Sequence, residues 1–127
     1  MSDASTPPLG SIVWQDLTVP DAEKLRTFYA EVVGWTSTPV GMGSYSDHCM
    51  NTRSDGKTVA GICHSRGVNA LIPPQWLIYI SVGDLDKAVK RCKELGGHVL
   101  DGPRKLMAQR FCVIRDPAGA VAALVGP

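Results

Sequence analysis

Apolar positions along the chain follow two periods in turn. Ser11 to Thr18 (SIVWQDLT) and Gln75 to Val82 (QWLIYISV) are rich in β-branched and aromatic residues, a composition that predicts strands. After each, an Asp precedes apolar residues at helical spacing: Leu25, Phe28, Tyr29, Val32 and Val33 follow Asp21, while Ala88, Val89, Cys92 and Leu95 follow Asp84. Both Asp residues are placed to cap a helix N-terminus, since a side-chain oxygen there accepts from an N–H that has no intrahelical partner. The helices are predicted to stop at Gly34 and at Gly96-Gly97, residues that tolerate positive φ. Beyond them the pattern turns strand-like again. Thr36 to Val40, Ser44 to Thr52 and Thr58 to Ser65 form one set, and His98 to Leu100, Phe111 to Arg115 and Ala120 to Val125 form the other. Turn residues separate them at Arg53 to Lys57, at Gly102-Pro103 and at Asp116 to Gly119.

The two halves repeat each other. Val19-Pro20-Asp21-Ala22-Glu23-Lys24 matches Val82-Gly83-Asp84-Leu85-Asp86-Lys87 at an offset of 63 residues, which also carries Gly34 onto Gly97. That offset is half of the 127 residues, so the chain reads as a duplicated β-α-β-β-β unit whose apolar face is buried by its twin. The expected organisation is a flexible leader over 1–10, a first module over 11–66, a linker over 67–74 containing Pro73-Pro74, and a second module over 75–127, in one domain overall.

Charge narrows the partners. Thirteen Lys and Arg against twelve Asp and Glu leave a net charge of +1, no electrostatic footprint for nucleic acid. The apolar stretches are too short and interrupted to span a bilayer, so no membrane partner is expected. The four cysteines lack CxxC spacing and no signal-like segment opens the chain, which together predict reduced thiols and a cytoplasmic setting.

Asp21 to Trp35 (DAEKLRTFYAEVVGW), Gly83-Asp84-Leu85-Asp86-Lys87-Ala88, Leu95-Gly96-Gly97 and Asp116-Pro117-Ala118-Gly119-Ala120-Val121, in this order, resemble the vicinal oxygen chelate superfamily of glyoxalases, bleomycin-resistance proteins and extradiol dioxygenases. The likeness covers residues 11 to 126 and is strongest to a short glyoxalase-like branch. It implies an α+β fold in which two βαβββ modules form an open, curled eight-stranded half-barrel sheet around a pocket, with the helices outside. It also implies dimerisation, by pairing of modules within one chain or by exchange between two.

Members that use a metal take His, Gln or Glu ligands from the first and last strands of the modules. By the same resemblance those positions fall here on Trp14, Leu77, Ala123 and a residue near Gly61, none of which can hold a divalent ion. No cofactor is therefore expected. Strand alternation would place Ile12 and Asp16 beside Trp14, Tyr79 and Ser81 beside Leu77, and Val121 and Val125 beside Ala123, giving a mostly apolar pocket. The candidate ligand-binding residues are Trp14, Asp16, Leu77, Tyr79, Arg110 and Ala123, with Arg110 as an anchor for a polar or anionic group. Trp35 is expected to pack helix against sheet.

These residues predict a metal-independent protein that binds or sequesters a small molecule. The alternative is a lyase or isomerase of the same fold with Asp16 as catalytic base, or with a displaced metal site. The latter would draw on Asp47-His48-Cys49 and Cys63-His64. If the hairpin between them pairs residues whose numbers add to 111 or 112, His48 faces Cys63 or His64.

Overall fold

The computed structural model describes residues 7–65 and 72–127. Its elements run β1 (Ile12–Val19), α1 (Ala22–Val33), β2 (Thr36–Gly41), β3 (Ser46–Asn51), β4 (Thr58–His64), β5 (Trp76–Ser81), α2 (Leu85–Glu94), β6 (His98–Leu106), β7 (Gln109–Arg115) and β8 (Val121–Gly126). This is the α+β fold of two β-α-β-β-β repeats that the sequence predicts. The chain divides into two compact units, Gln15–Trp76 and the residues up to Trp14 together with Leu77–Pro127. Most of the expected linker, and the leader up to residue 6, lie outside the described residues. At the inner end of the leader Gly10 N–H donates to the Ser81 carbonyl, at 2.7 Å. No helix among the described residues is long and apolar enough to cross a membrane.

In the unit Gln15–Trp76 the strand order is β2-β3-β4-β1, with β1 parallel to β4 and the other neighbours antiparallel. Asp21 caps α1 by accepting from Lys24 N–H at 3.1 Å, and Gly34 closes it at φ 88°, its N–H on the Ala30 carbonyl. Leu17, Val19, Met50, Ala60 and Ile62 turn one sheet face toward α1, where they meet Ala22, Leu25 and Tyr29. Trp35 packs against this cluster, as expected of it. Trp76 joins it through a 3.0 Å hydrogen bond from its indole N–H to the Tyr29 hydroxyl.

The other unit repeats the arrangement as β5-β8-β7-β6, with β5 parallel to β8. Asp84 caps α2 by accepting from Lys87 N–H at 3.1 Å. Ile80, Leu124, Cys112 and Ile114 cover α2 together with Leu85 and Val89. Alternation therefore turns Tyr79, Ala123, Val113 and Phe111 to the opposite face, and the register pairs Ala123 with both Tyr79 and Val113.

One element differs from the sequence reading. The break expected at Gly102-Pro103 is absent, and β6 continues to Leu106. Two register shifts, between Val99 and Asp101 and between Asp101 and Arg104, absorb the pair on an outer strand of this unit's order, where a missing N–H is tolerated. Gly102 has φ +85°, and a Cβ there would lie 2.7 Å from the Phe111 carbonyl oxygen, so only glycine fits.

Candidate functional site

In the unit that holds β5 to β8, a cavity of about 300 Å³ opens beside the end of the β6–β7 hairpin. Trp14, Val13 and Tyr79 line one side of it. The hairpin supplies Leu106, Met107 and Gln109, and β8 supplies Val125. Met107 is at the turn with φ 55° and is 96% exposed, so its thioether stands free at the rim. A second hollow of about 250 Å³ shares Val13, Gln109 and Val125 and extends toward Leu9 and Pro127.

Of the residues singled out from the sequence, Trp14 and Tyr79 are brought together here. Leu77 and Ala123 are buried at 2% and 0% exposure and do not line the cavity. Ile12 does not line it either, whereas Val13 does. Consecutive residues of β1 both reach the hollow, so it is not confined to one face of that strand. Arg110 points elsewhere. Its guanidinium donates to both Asp86 carboxylate oxygens, at 3.2 and 3.0 Å, and to the Pro127 carbonyl at 3.3 Å. The hydrogen bonds from Arg110 hold the Asp86 carboxyl below its ordinary range. Leu106, Met107 and Gln109 were missed because the predicted strands stopped at Leu100 and resumed at Phe111. The apolar pair Leu106-Met107 outside any predicted strand was the available signal.

The sheet face that carries Tyr79 and Phe111 also holds an ion pair. Arg104 donates to both oxygens of Asp101, the shortest contact being 2.5 Å, and lies 4.7 Å above the Phe111 ring. Tyr79 stands 6.2 Å from the same ring, centroid to centroid.

Asp16 lies in the other unit, half-buried, opposite Gly61 on β4. Leu17 and Val19 face α1, so Asp16 and Thr18 face away from it, as do Cys63, in register with Thr18, and Cys49, opposite Gly61. Burial, with the nearby Asp16, Asp47 and Cys49, pushes the Cys63 thiol up to about 12.

The displaced metal site is not formed. The β3–β4 register pairs His48 with Ile62 rather than with Cys63 or His64. Pairing slips by one residue between Met50 and Asn51, and the Thr52–Lys57 turn is closed by Thr52 N–H on the Lys57 carbonyl. His48 thus faces α1, its Nε2 2.6 Å from the Glu23 carboxylate, while Cys63 is on the opposite face. His64 instead meets Asp47, its ring Nδ1 at 3.3 Å. Among the described residues no three His, Cys, Asp or Glu side chains are grouped to hold a metal ion. The donor positions that the fold implies carry an indole, a hydrogen, an isobutyl and a methyl, and these do not fit a divalent ion.

Comparison with known proteins agrees with this geometry. Residues 10–124 match the sequence model of the Glyoxalase/Bleomycin resistance protein/Dioxygenase superfamily. The anthracycline biosynthesis protein DauV of Streptomyces sp. (strain C5) is 31% identical over 111 residues, which are 87% of this chain and 39% of that protein. The chain spans about two fifths of the length of the curated relatives it matches. Among solved structures, methylmalonyl-CoA epimerase from Mycobacterium tuberculosis superposes with a TM-score of 0.58 at 17% identity, covering 100% of this chain and 93% of that one. A methylmalonyl-CoA epimerase in complex with methylmalonyl-CoA and NH4+ gives 0.57 at 19% identity, covering 94% and 95%. The repeated β-α-β-β-β order, the two Asp-capped helices and the match over nearly the whole chain place this protein in the Glyoxalase/Bleomycin resistance protein/Dioxygenase superfamily.

Proposed function

We propose that this protein binds a small, largely apolar or aromatic molecule in the Trp14–Tyr79 cavity, without a metal, and sequesters it rather than converting it. The observation that carries this reading is the lining itself: two aromatic side chains, aliphatic walls and one amide, the usual make-up of a small-molecule site. Asp16, the expected base, belongs to the other unit and does not line the cavity, which favours binding over turnover. Metal independence is supported by the four donor positions and by the separation of His48 from Cys63.

Two measurements test the proposal. Protein purified without chelator or affinity tag should carry less than about 0.1 equivalent of any divalent metal, because a catalytic site needs about three protein donors; stoichiometric metal would refute metal independence. In a thermal-shift screen of ring compounds, a ligand at 100 times its Kd should stabilise the protein by about 2.7 kcal/mol. The shift should vanish in Trp14→Ala and persist in Lys90→Ala, a change on the outer side of α2. Equal shifts in both variants would move the site elsewhere.

A further inference from the structure

Every side chain that lines the Trp14 cavity is uncharged at neutral pH. No cation lines it, and although Arg104 stands on the same strand face as Leu106, Arg104 and Arg110 are each paired with a carboxylate. Arg104 is engaged by Asp101 and stacked over Phe111, and Arg110 by Asp86 and the Pro127 carbonyl. Lys105 pairs in register with Arg110, whereas Leu106 and Gln109 form the next pair and line the cavity, so Lys105 shares the Arg110 side of the hairpin. An anion entering this partly open space would lose part of its hydration and gain no counter-charge from the lining, which costs more than ring contacts return. An ammonium group would meet no carboxylate there.

What the lining does offer is specific. Trp14 and Tyr79 give broad apolar surface at small entropic cost, and the free Met107 thioether adapts to a ring edge. Gln109 contributes one amide that both donates and accepts. The volume of about 300 Å³ is at the small end of ligand sites, enough for a fused bicycle and too little to enclose a nucleotide-bearing ester. Resting on the binding reading above, we infer that the cavity selects uncharged ring compounds bearing one hydrogen-bonding substituent and rejects carboxylates, phosphates and acyl-CoA esters.

Isothermal titration at pH 7 with four probes tests this: 2-naphthol, 2-naphthoate, 2-naphthylmethylammonium and propionyl-CoA. The neutral naphthol should bind at least tenfold more tightly than either charged naphthalene, with no heat from propionyl-CoA. Gln109→Lys, a change at an exposed position that leaves the fold alone, should improve 2-naphthoate binding at least tenfold and not improve 2-naphthol. If 2-naphthoate, the ammonium probe or propionyl-CoA binds the wild type as tightly as 2-naphthol, and Gln109→Lys shifts that affinity, the charge selection is wrong while the site stands. If no probe binds, or if both Trp14→Ala and Gln109→Lys leave every affinity unchanged, the binding reading itself fails.

Discussion

Ile62→Ala is expected to destabilise the protein by about 2–5 kcal/mol, the range for deleting a large aliphatic side chain from a packed core. Ile62 is completely buried, stands in register between Leu17 on β1 and His48 on β3, and packs with Met50 and Ala60 beneath α1. Three strands and a helix meet at this side chain, so the lining cannot easily collapse into the space it leaves. Ile62→Val, which removes one methylene, should cost only about 0.5–1.5 kcal/mol. Urea denaturation of both variants, read as a shift in midpoint at unchanged slope, is the measurement. A loss below 1 kcal/mol for Ile62→Ala would mean that β4 does not run through the core in this register.

The second large effect belongs to Cys63. Its thiol is pushed up to about 12, first by burial and then by the charges of Asp16 and Asp47 and by Cys49. In the unfolded chain the same thiol titrates near its ordinary value of 9.0. Between these limits the unfolded state releases a proton that the folded state keeps. The stabilisation is therefore complete below about pH 9 and is lost as pH rises toward 12. With each tenfold change in proton affinity worth about 1.4 kcal/mol, the loss is on the order of 4 kcal/mol. Cys63→Ala should be less sensitive to alkali than the wild type across this window, measured as the difference in urea stability at pH 8 and pH 11. Reactivity gives an independent reading. At pH 9 the folded Cys63 should alkylate with iodoacetamide more slowly than an unperturbed thiol by up to about five-hundredfold, the ratio of their thiolate fractions, since only the thiolate attacks. Peptide mapping of the modified sites checks this, and Asp16→Asn should raise the rate by removing the largest charge repulsion on the thiolate. Fast labelling of Cys63 in the native protein would place it at the surface rather than on the enclosed face with Thr18.

Much of this architecture was legible in the chain because its signals are local. An Asp before a helical run, a Gly able to take positive φ after it, and the same grammar repeated 63 residues later depend on spacing within a few residues. The packing role of Trp35 was equally readable, since a large ring directly after a helix-closing glycine has the core within reach. What sequence could not supply was register. His48 and Cys63 looked like partners when the hairpin was counted as a ladder centred on Asp55-Gly56, and the actual register, with Ile62 opposite His48, sets them on opposite faces. Nor could alternation alone find the rim of the cavity. Leu106, Met107 and Gln109 contribute because β6 carries Gly102-Pro103 through two bulges instead of ending there, which is a tertiary outcome of strand pairing. Arg110, counted as an anchor, is drawn away by Asp86 on α2, a neighbour 24 residues earlier that only folding brings close. The amino-acid order by itself determined the elements, their caps and the doubled plan, since these rest on short-range backbone preferences. Which side chains share a face, and which of them surround a space, was decided by strand register and by pairing across long stretches of chain, where a one-residue shift reverses every direction.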